Sequence, residues 1–396
     1  MSPEPKKPIE DLLEATARSR RAQFGVDPKM PNPMRAQLHH VQDARKYVPP
    51  HSNFLIRCRR MTSAESFRLA VLNPGGRDHE QHFAENRAPQ ANEHPPVNFH
   101  AYAACTHGTV FRDIKRAIAS NWPVLLLLRG DFRASERALA ELKKSKRRTA
   151  VALKETGVHQ IAQQLNDPAC FARFIKIVRE ADGCVASTPE AAELFRSFRT
   201  DGVDFIPTPY PIEDENWNWA MEHRSGIFVG TRELTVPTRH HFAALLAAKK
   251  LSDKTKEPVT VFNSDRRRGT KLIAEIGFRK IRVHEKRMGY RAYLGEMARH
   301  KIVFQFDRSR VPGQVAGDAL LCRSVCVGGD GTIERIAFPK TCGEKRSDDE
   351  LLEIAQRLLT NEDQREEVAE EATNIAKEKL SFRGGKEHLG RFFANL

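Results

Sequence analysis

The run Val124–Leu128, VLLLL, carries no polar residue at either phase of a two-residue period. A strand of this kind is buried on both faces, which requires a parallel sheet covered by helices on each side. Comparable short apolar runs recur as FRLAVLN from Phe67, RTAVALKE from Arg148, ADGCVAS from Ala181 and VDFIP from Val203. Segments with helical spacing separate them, over 133–144, 169–180 and 189–198, the last capped by Ser187 or Thr188. Strands alternating with helices of this length imply right-handed crossovers and a doubly wound parallel sheet. On the same reasoning VNFHAYAAC (97–105) is expected as a strand and 109–119 as a helix. PGGRDHEQHF (74–83) is expected as a glycine turn entering a helix.

The pattern then stops and restarts. IPTPYP, residues 206–211, followed by Glu213-Asp214-Glu215, has the composition of a hinge. Beyond it come the strand SGIFVGTRE, a helix over 238–250, the strand EPVTVFN, a helix over 268–276 and the strand FRKIRVHE. Residues 288–339 read as helix, buried strand, glycine-bearing turn at 309–317, helix and buried strand. A turn between a strand end and a helix start is where open α/β sheets bind phosphorylated ligands. A helix over 349–359 with a capping box at Ser347–Glu350, a charged helix over 361–380 and a short closing helix complete the chain. The expected organisation is a helical leader (1–60), a first α/β domain (61–211), a second α/β domain (212–380) and a C-terminal helix (381–396). The C-terminal edges of the two sheets would face each other across a cleft.

The chain has 396 residues and a formal net charge of +14. That balance favours polyanionic partners: phosphorylated small molecules, anionic lipid or nucleic acid. No zinc-finger, helix-turn-helix, RNP or KH pattern accompanies the charge, so nucleic acid is the less favoured of these. No window is apolar enough to span a bilayer, and the N-terminus has no signal-peptide core. A cytoplasmic location is expected, with peripheral contact at the inner face of the membrane as an extension of it. The seven cysteines are scattered and fit a reducing compartment. Cys322 and Cys326 lack a second ligand pair, so no metal site is expected.

The stretch ADGCVASTPEAAELFRSFRTDGVDFIPTPYPIED resembles the end of the first domain of GT-B glycosyltransferases. GIFVGTRE resembles the opening strand of their nucleotide-binding domain. VPGQVAGDALLCRSVCVGG is similar to the segment that reads E-G-F-G-x-x-x-x-E-A-x-A-x-G-x-P-V-V in the glycogen-synthase-like, retaining branch. The resemblance covers residues 67–396, and it implies, on KLSFRGGKEHLGRFF, that the C-terminal helix (381–396) crosses back to the first domain. It implies two Rossmann-like domains and transfer of a sugar from a nucleotide-sugar donor, a UDP- or GDP-sugar, without a metal or further cofactor. The acceptor would be a glycan, a lipid-linked sugar or another polyanion.

The resemblance also assigns residues. The motif's second glutamate, which holds the donor ribose, falls on Asp318, and its first falls on Arg310, with reversed charge. Gly313 matches a motif glycine, and the Gln314 and Val315 N–H groups would hold the diphosphate. Arg232 and Arg239 are the candidates for the phosphate-clamping basic pair. Gly75 and Gly76 match the loop bordering the transferred sugar, and His159 stands on the acceptor side. His159 and Arg310 are the candidate catalytic residues. Two alternatives are a nucleotide-sugar epimerase or hydrolase on this fold, and a basic binding protein, including one directed to nucleic acid, that has lost catalysis.

Overall fold

The computed structural model describes residues 67–84, 93–286 and 288–396; the leader expected over 1–60 lies outside the described residues. The first sheet contains β1 (Ala70–Leu72), β2 (Gln81–His82), β3 (Thr109–Phe111), β4 (Val124–Leu128), β5 (Thr149–Leu153), β6 (Gly183–Ala186) and β7 (Val203–Phe205). Its order is β2-β3-β1-β4-β5-β6-β7, parallel except for β2, which runs antiparallel to β3. Helices α1 (Phe99–Ala104), α2 (Ile114–Ala119), α3 (Arg133–Lys144), α4 (Val158–Leu165), α5 (Pro168–Glu180) and α6 (Pro189–Arg196) connect these strands.

The second sheet contains β8 (Ile227–Val229), β9 (Val259–Phe262), β10 (Ile281–His284), β11 (Ile302–Phe304) and β12 (Val325–Val327). It is wholly parallel in the order β10-β9-β8-β11-β12. Its helices are α7 (His241–Thr255), α8 (Arg266–Ile276), α9 (Tyr290–Ala298), α10 (Gln314–Leu321), α11 (Thr332–Ala337), α12 (Asp348–Thr360) and α13 (Glu362–Lys379); α14 (Phe382–Asn395) ends the chain.

The VLLLL strand behaves as its composition requires. Val124, Leu126 and Leu128 pack with Leu139, Leu142 and Phe174, while Leu125 and Leu127 pack on the other face with Val71, Tyr102 and Phe393. Each fully buried leucine contributes about 1.5–3 kcal/mol of transfer free energy. The second face is covered in part by α14, whose Leu389, Phe392 and Phe393 pack against the first sheet.

Three expected elements take another form. Residues 97–105 supply α1, not a strand: five of its six residues are buried, so it has no polar face to betray helical periodicity. Thr109–Phe111 is β3, and the helix begins only at Ile114, where Asp113 accepts the Lys115 N–H at 2.7 Å. The turn at 74–76 leads to β2 and not to a helix. The two expected caps form: Thr188 Oγ1 accepts the Ala191 N–H at 3.2 Å, and Ser347 and Glu350 bond reciprocally.

The chain crosses between the two halves twice, side by side. Tyr210 donates its N–H to the Leu380 carbonyl at 2.7 Å and bridges in parallel with Ser381. The Tyr210 ring is fully buried and fills the space where a side chain on Gly317 of α10 would stand. Trp217, just beyond the first crossing, is buried against Tyr290 with ring centroids 5.8 Å apart. No helix among the described residues is long and apolar enough to cross a membrane.

Candidate functional site

In the second sheet the strand order reverses at β8, whose neighbours β9 and β11 follow it on opposite sides. The crevice beyond the C-terminal ends of β8 and β11 is where a parallel sheet of this kind receives a ligand. The loop leaving β8 carries Gly230, Arg232 and Arg239, and the loop leaving β11 carries Asp307, Arg310 and Gly313. Gly230 donates its N–H to the Phe304 carbonyl at 2.9 Å. A Cβ on it would stand 2.5 Å from Val315 Cγ1, so the β8 turn lies against the first turn of α10. Gly313 begins that helix at φ +93°, a left-handed conformation. The space beside it belongs to Glu334: a Cβ on Gly313 would overlap Glu334 Oε2.

The two arginines differ in circumstance. Arg239 forms ion pairs with Asp307 and with Glu233, the latter at 3.3 Å, and is largely buried. Arg232 is exposed, and its side chain enters no ion pair among the described residues. Asp318 is buried in the second turn of α10. The Tyr290 hydroxyl donates to its Oδ1 at 2.5 Å, and Gln314 Nε2 lies 3.4 Å from its Oδ2. Burial pushes its carboxyl up to about 7, against the opposing pull of Tyr290, Arg232 and Gln314.

Three further acids stand around the 309–313 turn. Asp307 accepts the Ser309 N–H at 2.8 Å, and Asp330 accepts the Arg310 N–H at 3.0 Å. Burial lifts Asp330 to about 6. Glu334 is 2 % exposed, and burial, reinforced by Asp307 and Asp330, pushes it up to about 8. Gln305 Nε2 donates to its Oε1 at 2.8 Å, while Oε2 has no partner. The sequence reading missed this group. Part of the signal was present in GGDGTIERI, where Asp330 and Glu334 stand four apart in a short segment rich in glycine.

Arg310, at φ +48°, reaches across to the first half of the molecule. Its Nη1 lies 3.5 Å from Glu190 Oε1 at the start of α6, and its Nε lies 3.8 Å from Asp330. Glu190 is gripped more closely by Arg335, at 2.9 and 3.1 Å. The Val158 N–H donates to the Ser309 carbonyl at 3.2 Å, and Asn98 Nδ2 donates to Gln314 Oε1 at 2.9 Å. The C-terminal edge of the first sheet therefore meets the 309–314 turn directly. His159, at the start of α4, belongs to this meeting. Burial and then Arg239 lower its pKa, and Asp307 opposes them.

Gly75 and Gly76 lie apart from the 309–318 group in their contacts. Gly75, at φ +72°, accepts from Arg129 Nη1 at 2.9 Å, and Gly76 packs against Asn73. Asn73 is buried with Oδ1 unpartnered. Among the described residues no group of three or more His, Cys, Asp or Glu is placed to hold a metal ion.

No family model matches the chain, and no curated relative matches it. Solved structures do. A variant of S. aureus TarM in complex with Fondaparinux, alpha-GlcNAc-glycerol and UDP aligns with 74% of this chain at 13% identity and a TM-score of 0.53; the chain spans 58% of that protein's length. Anabaena HepE in complex with UDP aligns with 83% of this chain and 100% of its own, at 11% identity and a TM-score of 0.55. The α,α-trehalose 6-phosphate synthase of Burkholderia multivorans aligns with 83% of this chain and 98% of its own, at 9% identity and a TM-score of 0.57. Likeness at these identities is likeness of fold, and the fold is that of the GT-B glycosyltransferases.

Proposed function

We propose that the protein transfers a sugar from a nucleoside-diphosphate sugar to an acceptor, and that the donor diphosphate lies at the start of α10. The observation that carries this reading is the conjunction at the β8–β11 switch point: a left-handed Gly313 opening a helix, with an exposed Arg232, in no ion pair among the described residues, on the adjoining loop. The Gln314, Val315 and Ala316 N–H groups begin α10 and have no carbonyl one turn back to bond. Together with the helix dipole they suit an anion. Such a site lowers the barrier by stabilising the charge that grows on the departing diphosphate.

The geometry refines two assignments. Arg239 is already neutralised by Asp307 and Glu233, so Arg232 carries the phosphate contact and Arg239 positions the loop. Asp318 meets a ribose only after Tyr290 releases it, the ribose hydroxyl taking the place of the phenol. UDP is the first nucleotide to test, because TarM and HepE were solved with it. His159 faces the reaction from the acceptor side, and its depressed pKa keeps it neutral and able to accept a proton at neutral pH.

The test is calorimetric titration of UDP, GDP and ADP into the wild type and Arg232→Ala. Loss of one charge-assisted contact is expected to weaken the preferred diphosphate about 10- to 100-fold. Equal affinity in both proteins removes Arg232 from the site. Binding of no nucleoside diphosphate favours the second reading, a protein that keeps the frame without the transfer. The observations behind that reading are Arg310 engaged with Glu190 and Asp330, and Tyr290 seated on Asp318.

A further inference from the structure

We propose that the outer face of the second half, formed by α7 and α8, docks on an anionic lipid bilayer. This inference goes beyond the donor site and does not depend on it. The two helices pack side by side, and both begin at the C-terminal edge of the second sheet, following β8 and β9. Their starting loops are tied together: Asp265 accepts the Leu234 N–H at 2.8 Å, and Ser264 Oγ donates to the Arg232 carbonyl.

The face combines two properties. α8 opens with Arg266, Arg267 and Arg268 and continues with Lys271, all exposed and none in an ion pair among the described residues. Lys286 stands on a neighbouring loop in the same condition. The nearby acids are engaged elsewhere: Glu233 with Arg239, Asp265 with the Leu234 N–H, and Glu285 with the Thr270 hydroxyl at 2.6 Å. On α8 itself the only acid is Glu275, near the far end. Asp265 and Glu285 keep their charges in these hydrogen bonds, and with Glu275 they are outnumbered by Arg266, Arg267, Arg268, Lys271 and Lys286, so the face carries an excess of positive charge.

The second property is apolar exposure. Phe242 and Leu246, one turn apart on α7, are 46 % and 40 % exposed, and they are two of the three large apolar side chains so exposed among the described residues. Lys250 continues their row by another turn. A soluble polyanion would use the cations and leave these two side chains in water. A bilayer uses both, with headgroup phosphates meeting the arginines while Phe242 and Leu246 enter the acyl boundary. The union of the two on one face selects the bilayer.

The experiment is vesicle co-sedimentation of the full chain without nucleotide, on phosphatidylcholine vesicles with and without roughly 30% phosphatidylglycerol. The expected result is binding to the anionic vesicles alone. With each basic residue near the surface contributing about one unit of kcal/mol-scale attraction, the Arg266→Glu/Arg267→Glu/Arg268→Glu variant should lose at least about 100-fold in partitioning. The Phe242→Ser/Leu246→Ser variant should lose the part of the binding that survives about 1 M salt, where charge is screened. A Lys143→Glu/Lys144→Glu/Lys146→Glu variant, on the first half, should bind as the wild type does. Circular dichroism melting shows that each variant is folded. The proposal is overturned by absence of binding to anionic vesicles, or by undiminished binding in the α8 variant. It is equally overturned if the α7 variant binds vesicles fully and heparin captures wild type and α7 variant alike, which would mark a polyanion site.

Discussion

Gly313→Ala is expected to lower the unfolding free energy by about 2–5 kcal/mol and to remove diphosphate binding with it. Two costs add. The residue sits at φ +93°, where an L side chain is strained by roughly 1–2 kcal/mol. The new methyl would also overlap Glu334 Oε2, with Glu334 Cδ and Ile333 Cβ each only 3.1 Å away. Overpacking of that kind costs about 1–3 kcal/mol. Glu334 cannot simply withdraw, because its Oε1 accepts from the buried Gln305. Urea denaturation of Gly313→Ala, Glu334→Ala and the double variant separates the two costs. The double variant should recover the steric part and retain the backbone part, so the two substitutions will be non-additive. A Gly313→Ala protein within about 0.5 kcal/mol of the wild type would show that the α10 start tolerates a side chain and is not built around a close approach.

The consequence for function follows from the same geometry. An anion at the start of α10 needs the Gln314 and Val315 N–H groups to keep their direction. That direction is set by Gly313 from one side and by Gly230, packed against Val315, from the other. A change at Gly313 therefore moves the donor groups even where the fold survives. Arg232→Ala is expected to remove only the proposed phosphate contact and to leave that framework in place.

The fold was legible where the sequence carries its own periodicity. VLLLL, VTVF and TAVAL are buried on both faces in parallel ladders, and nothing but a covered strand accommodates them. The caps at Thr188 and Ser347 were legible because capping is local chemistry. α1 was not, because a helix buried all round looks the same as a buried strand to a hydrophobic pattern. β3 was hidden by its length of three residues next to a capped helix. Around the 309–317 turn, the strand before it and the helix after it could be read from the order of residues, while Asp318 was singled out through the resemblance to the GT-B motif. The partners of Arg310 could not, since Glu190 lies in the other half of the molecule. Nor could the burial of Asp318 under Tyr290, or the gathering of Asp307, Asp330 and Glu334 around one turn. Those facts exist only after two sheets and a crossing chain have been brought together.

Glu334→Gln is expected to make the protein more stable than the wild type at alkaline pH while leaving it nearly unchanged below the ordinary carboxylate value of 4.5. Glu334 is held at about 8 in the folded protein against an ordinary value of 4.5, and Asp318 and Asp330 are held at about 7 and about 6 against 3.8. Below the ordinary values both folded and unfolded chains are protonated, and these groups do not affect stability. As the pH rises, the unfolded chain ionises first, and the folded chain keeps protons that the unfolded one has released. Stability therefore falls with rising pH until the folded values are passed. His100 and His241 act with the opposite sign. Burial lowers both to about 4, so each destabilises the fold as the pH drops below about 6.5. Between about 6.5 and 8 the histidines no longer contribute, and the decline comes from Asp318 and Glu334. Glutamine keeps an oxygen for Gln305 and cannot ionise. Each withheld proton amounts to about 1.4 kcal/mol per pH unit, so the stability gap between variant and wild type should widen by on the order of 3 kcal/mol from about pH 5.5 to about pH 8.5. Chemical denaturation across that range measures it. Parallel pH profiles for the two proteins would mean that Glu334 ionises as an ordinary carboxylate, and that the space between Gly313 and Gly331 admits enough water to solvate it.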